Sequence, residues 1–241
     1  MDGLLLIHAF PVDARMWGGQ AGGDHTVAPD LPGFGGTSMP DGGVMTMASA
    51  AARCLEGLDA AGLDRAVVCG LSMGGYVAFE LLRAAPERIA GLVLANTRAG
   101  ADTPEGAAGR RALAERLRTE GNVLVDAPPP LLSADPPEGL WDRVKAWIGD
   151  QPPQAIAAAA LGMADRPDST PDLAGITVPT LVITSEGDTL IPPEVTSPMA
   201  EQISGAELAV LPAAGHLSNL EDPAGFSRLL RAHAERCGVS P

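Results

Sequence analysis

The chain has 241 residues, 46% of them hydrophobic and 19% charged, which is enough apolar mass for one ordinary domain with a smaller insertion and too much for a disordered chain. Thirty acidic residues against sixteen basic ones leave a net charge of −14, a field that repels phosphate backbones and anionic lipid, so neither nucleic acid nor a membrane is an expected partner. Lys145, the one lysine, follows no glycine-rich loop, the four histidines form no H-E-x-x-H pair, and Cys54, Cys69 and Cys237 are spaced neither for zinc nor for a disulfide framework, so no metal or cofactor is expected.

Met1-Asp2-Gly3 and the four apolar residues after it lack the basic start and longer apolar stretch of a signal peptide. The longest mild apolar run, Ala155 to Ala164, is half the ~20 residues a spanning helix needs. A soluble, cytoplasmic protein is the expectation. Short β-branched, apolar runs predict strands at Leu4 to Ile7, Thr26 to Ala28, Ala66 to Cys69, Leu92 to Ala95, Thr180 to Thr184 and Leu208 to Leu211. Helical periodicity falls between most of them, at Met47 to Ala61, Gly75 to Ala85, Pro193 to Ile203 and Pro223 to Arg236. Alternating strands and helices predict a parallel sheet covered on both faces.

Residues 98 to 170 break the rhythm. Gly106 to Glu120, Leu140 to Ile148 and Gln154 to Ala164 read as helices, separated by Pro128-Pro129-Pro130, Pro136-Pro137 and Pro152-Pro153, which stop helices by removing donors and fixing φ. The expected organisation is a core of residues 1–97 and 171–241 with a helical cap inserted at 98–170.

Gly70-Leu71-Ser72-Met73-Gly74 matches G-x-S-x-G. In a chain with 29 glycines the match alone is weak, and its context decides. A strand ends at Cys69 and a helix begins after Met73, so Ser72 is expected on a tight strand-to-helix turn with its hydroxyl exposed. A serine hydroxyl attacks only when a base takes its proton, and His216, after Gly215 and the last strand, is the best placed histidine. His233 lies mid-helix among charged residues and reads as solvated. The imidazole needs a carboxylate to orient it. Asp188, just after the strand Leu181-Val182-Ile183, fits that role better than the nearby Glu186.

The order Ser72, Asp188, His216 is that of the α/β-hydrolases, and the chain resembles a serine-type member of that family from its first strand almost to its end. His8-Ala9-Phe10-Pro11 resembles the family's H-G-x-P loop, and Asp30-Leu31-Pro32-Gly33-Phe34-Gly35 its D-x-x-G-x-G loop. Asp188-Thr189-Leu190-Ile191-Pro192 resembles the acid loop; Gly215-His216, followed by Glu221, Pro223 and Phe226, resembles the histidine loop and final helix. The resemblance implies an oxyanion hole made by the backbone N–H groups of Phe10 and Met73, and a supporting role for His8 beneath it. The sequence departs from the pattern at Ala9, where glycine is usual, and at Ser185, another common glycine. It also has no length for the family's opening hairpin, so the α/β-hydrolase fold is expected with about six strands and Thr26 to Ala28 at an edge.

The resemblance implies a metal-independent hydrolase of carboxylic esters, lactones included, acting on small apolar substrates through an acyl-enzyme on Ser72. Thioesterase, C–C hydrolase, perhydrolase, triad-based lyase and a non-catalytic ligand receptor stay open at this level, because fold does not choose the substrate. Trp141 and Met163 in the insertion, and Arg98 and Arg166 at its ends, are the candidate substrate contacts; Trp141 reads equally as insertion core, and surface or hinge salt bridges are the favoured reading of the two arginines, an anionic substrate group the other.

Overall fold

The computed structural model describes residues 1–239. Residues 240 and 241, the end of the expected core segment, lie outside the described residues. Strands β1 (Asp2–Ile7), β2 (Thr26–Val27), β3 (Arg65–Leu71), β4 (Ile89–Ala95), β5 (Thr180–Ser185) and β6 (Glu207–Leu211) form one sheet ordered β2-β1-β3-β4-β5-β6, every pairing parallel. All six expected strands are present, and the two-residue β2 is at an edge. Every residue of β4 is buried; since alternate side chains of a strand point to opposite faces, both faces of the sheet are covered there.

Helix α1 (Met47–Ala60) buries Met47, Ala50, Ala51, Cys54 and Leu58, a single stripe at helical spacing, and Thr46 caps it by accepting from the Ser49 N–H at 3.0 Å. Against it packs α2 (Met73–Ala84), buried without a break from Met73 to Phe79. Between β4 and β5 come α3 (Pro104–Glu120), α4 (Leu140–Gly149) and α5 (Pro153–Ala164), with no strand among them. Every residue from Ala155 to Ala160 in α5 is fully buried. The small side chains let α3 lie close along this helix and let the Met45 N–H reach the Ala158 carbonyl at 3.1 Å. A Cβ at Gly162 would lie 1.7 Å from the Met45 carbonyl oxygen, so only glycine fits where α5 crosses the core.

The structure departs from expectation in three places. The helix expected over Pro193 to Ile203 is two short ones, α6 (Pro193–Thr196) and α7 (Pro198–Gln202), because Pro198 has no N–H to continue the first. A turn of helix, α8 (Ser218–Glu221), precedes α9 (Pro223–Arg236). His233 on α9 is not solvated but 1% exposed. It shares the helix face of Phe226 and Leu230 and lies over β4, where a Cβ at Gly91 would come within 3.4 Å of its Nε2. Among the described residues, no helix is long and apolar enough to cross a membrane.

Burial, the largest effect, lowers the pKa of His233, and the Arg236 charge lowers it further; burial likewise depresses His8, against weaker raising by the Ala9 carbonyl and the Asp30 and Asp13 charges. A histidine depressed in the fold binds its proton more readily when unfolded, so its stabilising contribution is complete above the ordinary value of 6.5 and is lost as pH falls through the folded value. Stability measured by urea unfolding is expected to decline as pH falls from 6.5 to the folded value, by up to about 1.4 kcal/mol per pH unit for each such histidine. His233→Leu, which keeps an apolar group in the site, is expected to flatten the decline; an unchanged slope would show that His233 is not neutral in the fold.

Candidate active site

The chain passes from β1 out to β2 on one side and returns to β3 on the other, so strand order reverses between β1 and β3. In open α/β sheets the crevice beyond the carboxyl ends at such a reversal is where ligands bind. Ile7 and Gly70 are paired across that boundary, and the candidate residues follow the strand ends around it: Phe10 after β1, Ser72 after β3, Asn96 after β4, Asp188 after β5 and His216 after β6.

Ser72 has φ 57° and ψ −114°, a backbone region that L residues rarely adopt. Its surroundings hold it there. Its N–H donates to the Ala95 carbonyl at 2.9 Å, and its own carbonyl accepts from Thr97 Oγ1 at 2.7 Å and from the Gly75 N–H at 2.9 Å. The neighbouring glycines are required by close approach: a Cβ would lie 2.2 Å from the Gly74 carbonyl at position 70, 2.2 Å from the Ile7 carbonyl at position 74, and 2.4 Å from Thr97 Oγ1 at position 75.

Asp188 Oδ2 accepts from His216 Nδ1 at 2.8 Å and from Asn96 Nδ2 at 2.9 Å, and its Oδ1 accepts from the N–H groups of Leu190 and Ile191, both at 2.9 Å. Both oxygens are thereby fixed. Ser218 Oγ donates to Asn96 Oδ1 at 2.7 Å, which orients the amide with its donors toward Asp188. With Nδ1 committed, His216 Nε2 is the nitrogen free to take a proton; it is buried and makes no hydrogen bond among the described residues, including to Ser72. Glu186 is exposed and makes no contact with the histidine, so the structure pairs His216 with Asp188 alone of the two acids.

Two residues of the histidine loop and the turn of helix after it steady this pair. Glu221 accepts from the Gly215 N–H at 2.7 Å and from the Ser133 N–H at 3.1 Å, fastening the histidine loop to the segment between α3 and α4. A Cβ at Gly215 would lie 2.2 Å from the Ser133 nitrogen, so the glycine is needed for that contact.

His8 donates from Nδ1 to the Ala9 carbonyl at 3.0 Å and accepts from the Leu31 N–H at Nε2, 3.1 Å away, so both ring nitrogens are spent on holding the loop that carries Phe10. Ala9 is fully buried, with its N–H on Met16 Sδ at 3.2 Å, which shows where a residue larger than glycine is accommodated. Met73 opens α2, where the first N–H groups have no partner within the helix. Burial raises the Cys69 thiol well above its ordinary range, which suits a core residue rather than a nucleophile.

A cavity of about 270 Å³ opens on Ser72. Phe10, Arg98 and Met163 line it, together with Leu190 and Ile191 of the acid loop and Tyr76, which the sequence reading does not single out. Tyr76 stands one helical turn beyond Ser72 on α2, a spacing that signals it. Trp141 does not reach the cavity: α4 buries Leu140, Val144 and Ile148, and Trp141 lies off that stripe, half-buried against the core. Arg166 does not line it either. Its guanidinium is held by the carbonyls of Met163 and Gly100, both at 2.9 Å, and by Asp102 at 2.8 Å, and sits 4.1 Å from the centre of the Tyr76 ring. It therefore ties the segment after β4, at Gly100 and Asp102, to the end of α5 at Met163. Among the described residues, no group of three or more His, Cys, Asp or Glu side chains is placed to hold a metal ion.

The model of the alpha/beta hydrolase family matches residues 4–229. Among solved structures, a thermophilic esterase from Thermogutta terrifontis, determined with malate bound, is 38% identical with a TM-score of 0.92, covering 98% of this chain and 90% of that one. The enol-lactonase from Burkholderia xenovorans LB400 is 27% identical with a TM-score of 0.85, over 98% of this chain and 92% of that one. A protein of Variovorax paradoxus named as a carbamate hydrolase, RutD, is 27% identical over 95% of this chain and 90% of its own. With its parallel six-stranded sheet and a family match spanning nearly its whole length, the chain belongs to the alpha/beta hydrolase family.

Proposed function

We propose that this hydrolase cleaves carboxylic esters, lactones included, through an acyl-enzyme on Ser72. The observation that carries the reading is the strained Ser72 turn opening on a largely apolar cavity, with a buried His216–Asp188 pair whose outer nitrogen is unspent. In the proposed reaction Ser72 Oγ attacks the carbonyl carbon while His216 Nε2 takes its proton. The developing oxyanion is met by the N–H groups of Phe10 and Met73, and Asp188 stabilises the imidazolium. His216 then returns the proton to the leaving alkoxide, and water, deprotonated by the same nitrogen, releases the acid.

Residues 98–170 act as the cap in this reading. They contribute Arg98, Arg110, Leu113, Leu124 and Met163 to the cavity wall, while Ser72, Asp188 and His216 come from outside them. A panel of aryl esters of graded acyl length, with lactones and carbamates alongside, tests the proposal. Short esters are expected to turn over with chelator present. Met163→Ala is expected to shift the ratio of kcat/KM between long and short acyl groups toward the long ones by about tenfold, the worth of a methylene or two of pocket. Absence of any ester or lactone hydrolysis by the folded protein would overturn the reading.

A further inference from the structure

We propose that Arg98 is an anion-binding residue of the catalytic cavity, and that the substrate is an ester carrying a carboxylate remote from the bond that is cleaved. The proposal rests on the ester reading of Ser72 and names the substrate class of that same site.

Arg98 follows β4 by three residues, next to Thr97, whose hydroxyl grips the Ser72 carbonyl, and it lines the same cavity as Ser72. Its guanidinium makes no hydrogen bond and no ion pair among the described residues, and its Nε is buried without a partner. A half-buried donor group left in that state costs free energy that a bound anion would recover. The nearby arginines are in a different condition. Asp102 is shared between Arg110 and Arg166, and those two charges, against the opposing effect of burial, hold its carboxyl below the usual range. Asp168, the other acid that senses Arg166, is exposed.

Arg110 and Arg166 thus share one carboxylate, and Arg98, which lines the same depression as Asp102 and Arg110, is left without an acid of its own, in a chain whose net charge is −14. The local excess of positive charge is the reverse of the molecule's overall field. No acidic side chain lines the cavity, and its walls are mostly apolar, so the charge of Arg98 is weakly screened from within. Arg98, Arg110 and Leu113 also line a shallower depression on the outer side, with Asp102 and Thr103. Arg98 is therefore shared between the cavity that opens on Ser72 and the outer depression. One unpaired guanidinium suits a monoanion, and its planar fork suits a carboxylate.

The test compares each of two carboxylate esters with its neutral methyl ester: phenyl hydrogen adipate, charged in the acyl half, and 4-acetoxybutanoate, charged in the alcohol half. For at least one pair the wild-type protein is expected to favour the anion in kcat/KM by about tenfold or more, a preference that Arg98→Met removes and Arg98→Lys keeps in part. Equal rates within both pairs, or a preference that survives Arg98→Met, would overturn the proposal. Calorimetric titration of Ser72→Ala with adipate and with dimethyl adipate separates the subsite from the chemistry. Adipate binding that disappears in the Ser72→Ala, Arg98→Met double variant supports the subsite even where no ester is turned over. No preference for adipate over its dimethyl ester would refute it even where esters are hydrolysed.

Discussion

Ser72→Ala is expected to reduce kcat for an activated ester by a factor on the order of 10⁶, the loss that follows removal of the nucleophile from a serine hydrolase of another fold. Such a large effect is expected because the alanine leaves nothing for His216 to activate. The residual rate comes from the oxyanion donors and from binding alone. The fold should tolerate the change. The Ser72 hydroxyl donates no structural hydrogen bond, whereas the bonds that hold the turn run through its backbone to Ala95, Gly75 and Thr97. The positive φ remains, so a modest drop in thermal stability beside a collapsed kcat is the expected combination. Near-normal turnover in a folded Ser72→Ala protein would remove the nucleophile from the account.

The second large effect is at Asp188. Each of its carboxylate oxygens receives two donors, His216 Nδ1 and Asn96 Nδ2 on one, and two loop N–H groups on the other. An asparagine there must point its own NH₂ at one of those donor pairs, whichever way its amide is turned. Asp188→Asn is therefore expected to misorient the imidazole and lower kcat by a factor on the order of 10⁴, as the equivalent change does in a serine protease. Asn96 shares the same oxygen with His216, so a carboxylate introduced at position 96 begins two hydrogen bonds from the ring, with the residue-188 oxygen between them. Adding Asn96→Asp to Asp188→Asn is expected to restore about tenfold of the loss, whereas Asn96→Asp alone sets two carboxylates side by side and is expected to slow the enzyme. A folded Asp188→Asn protein with wild-type kcat would reject Asp188 as the partner of His216.

The parts of this molecule that could be read in advance are those whose signal is local. The run Ala66-Val67-Val68-Cys69 is apolar on both faces and lies in β3, and Gly70, Gly74 and Gly75 mark a turn whose crowding the structure accounts for atom by atom. Other features depended on partners distant in the chain. Arg166 was a candidate for substrate, but what it meets, the Gly100 carbonyl and Asp102, lies more than sixty residues earlier. The break at Pro198 and the burial of His233 have local signals too, a missing donor and an i, i+3 spacing from Leu230, which overall periodicity and charged neighbours outweigh in the sequence. Trp141 is open between pocket wall and insertion core in the sequence, and the stripe of Leu140, Val144 and Ile148 that α4 buries leaves it outside the cavity lining.

The central claim is that Ser72 is the nucleophile activated by His216, and covalent labelling tests it most directly. An activated serine beside oxyanion donors attacks a fluorophosphonate at phosphorus as it attacks an acyl carbon, displacing fluoride. Intact-protein and peptide mass spectrometry are predicted to find one adduct, on Ser72, that forms far more slowly in His216→Ala. An adduct on any other serine, or none in a preparation that hydrolyses esters, would contradict the account.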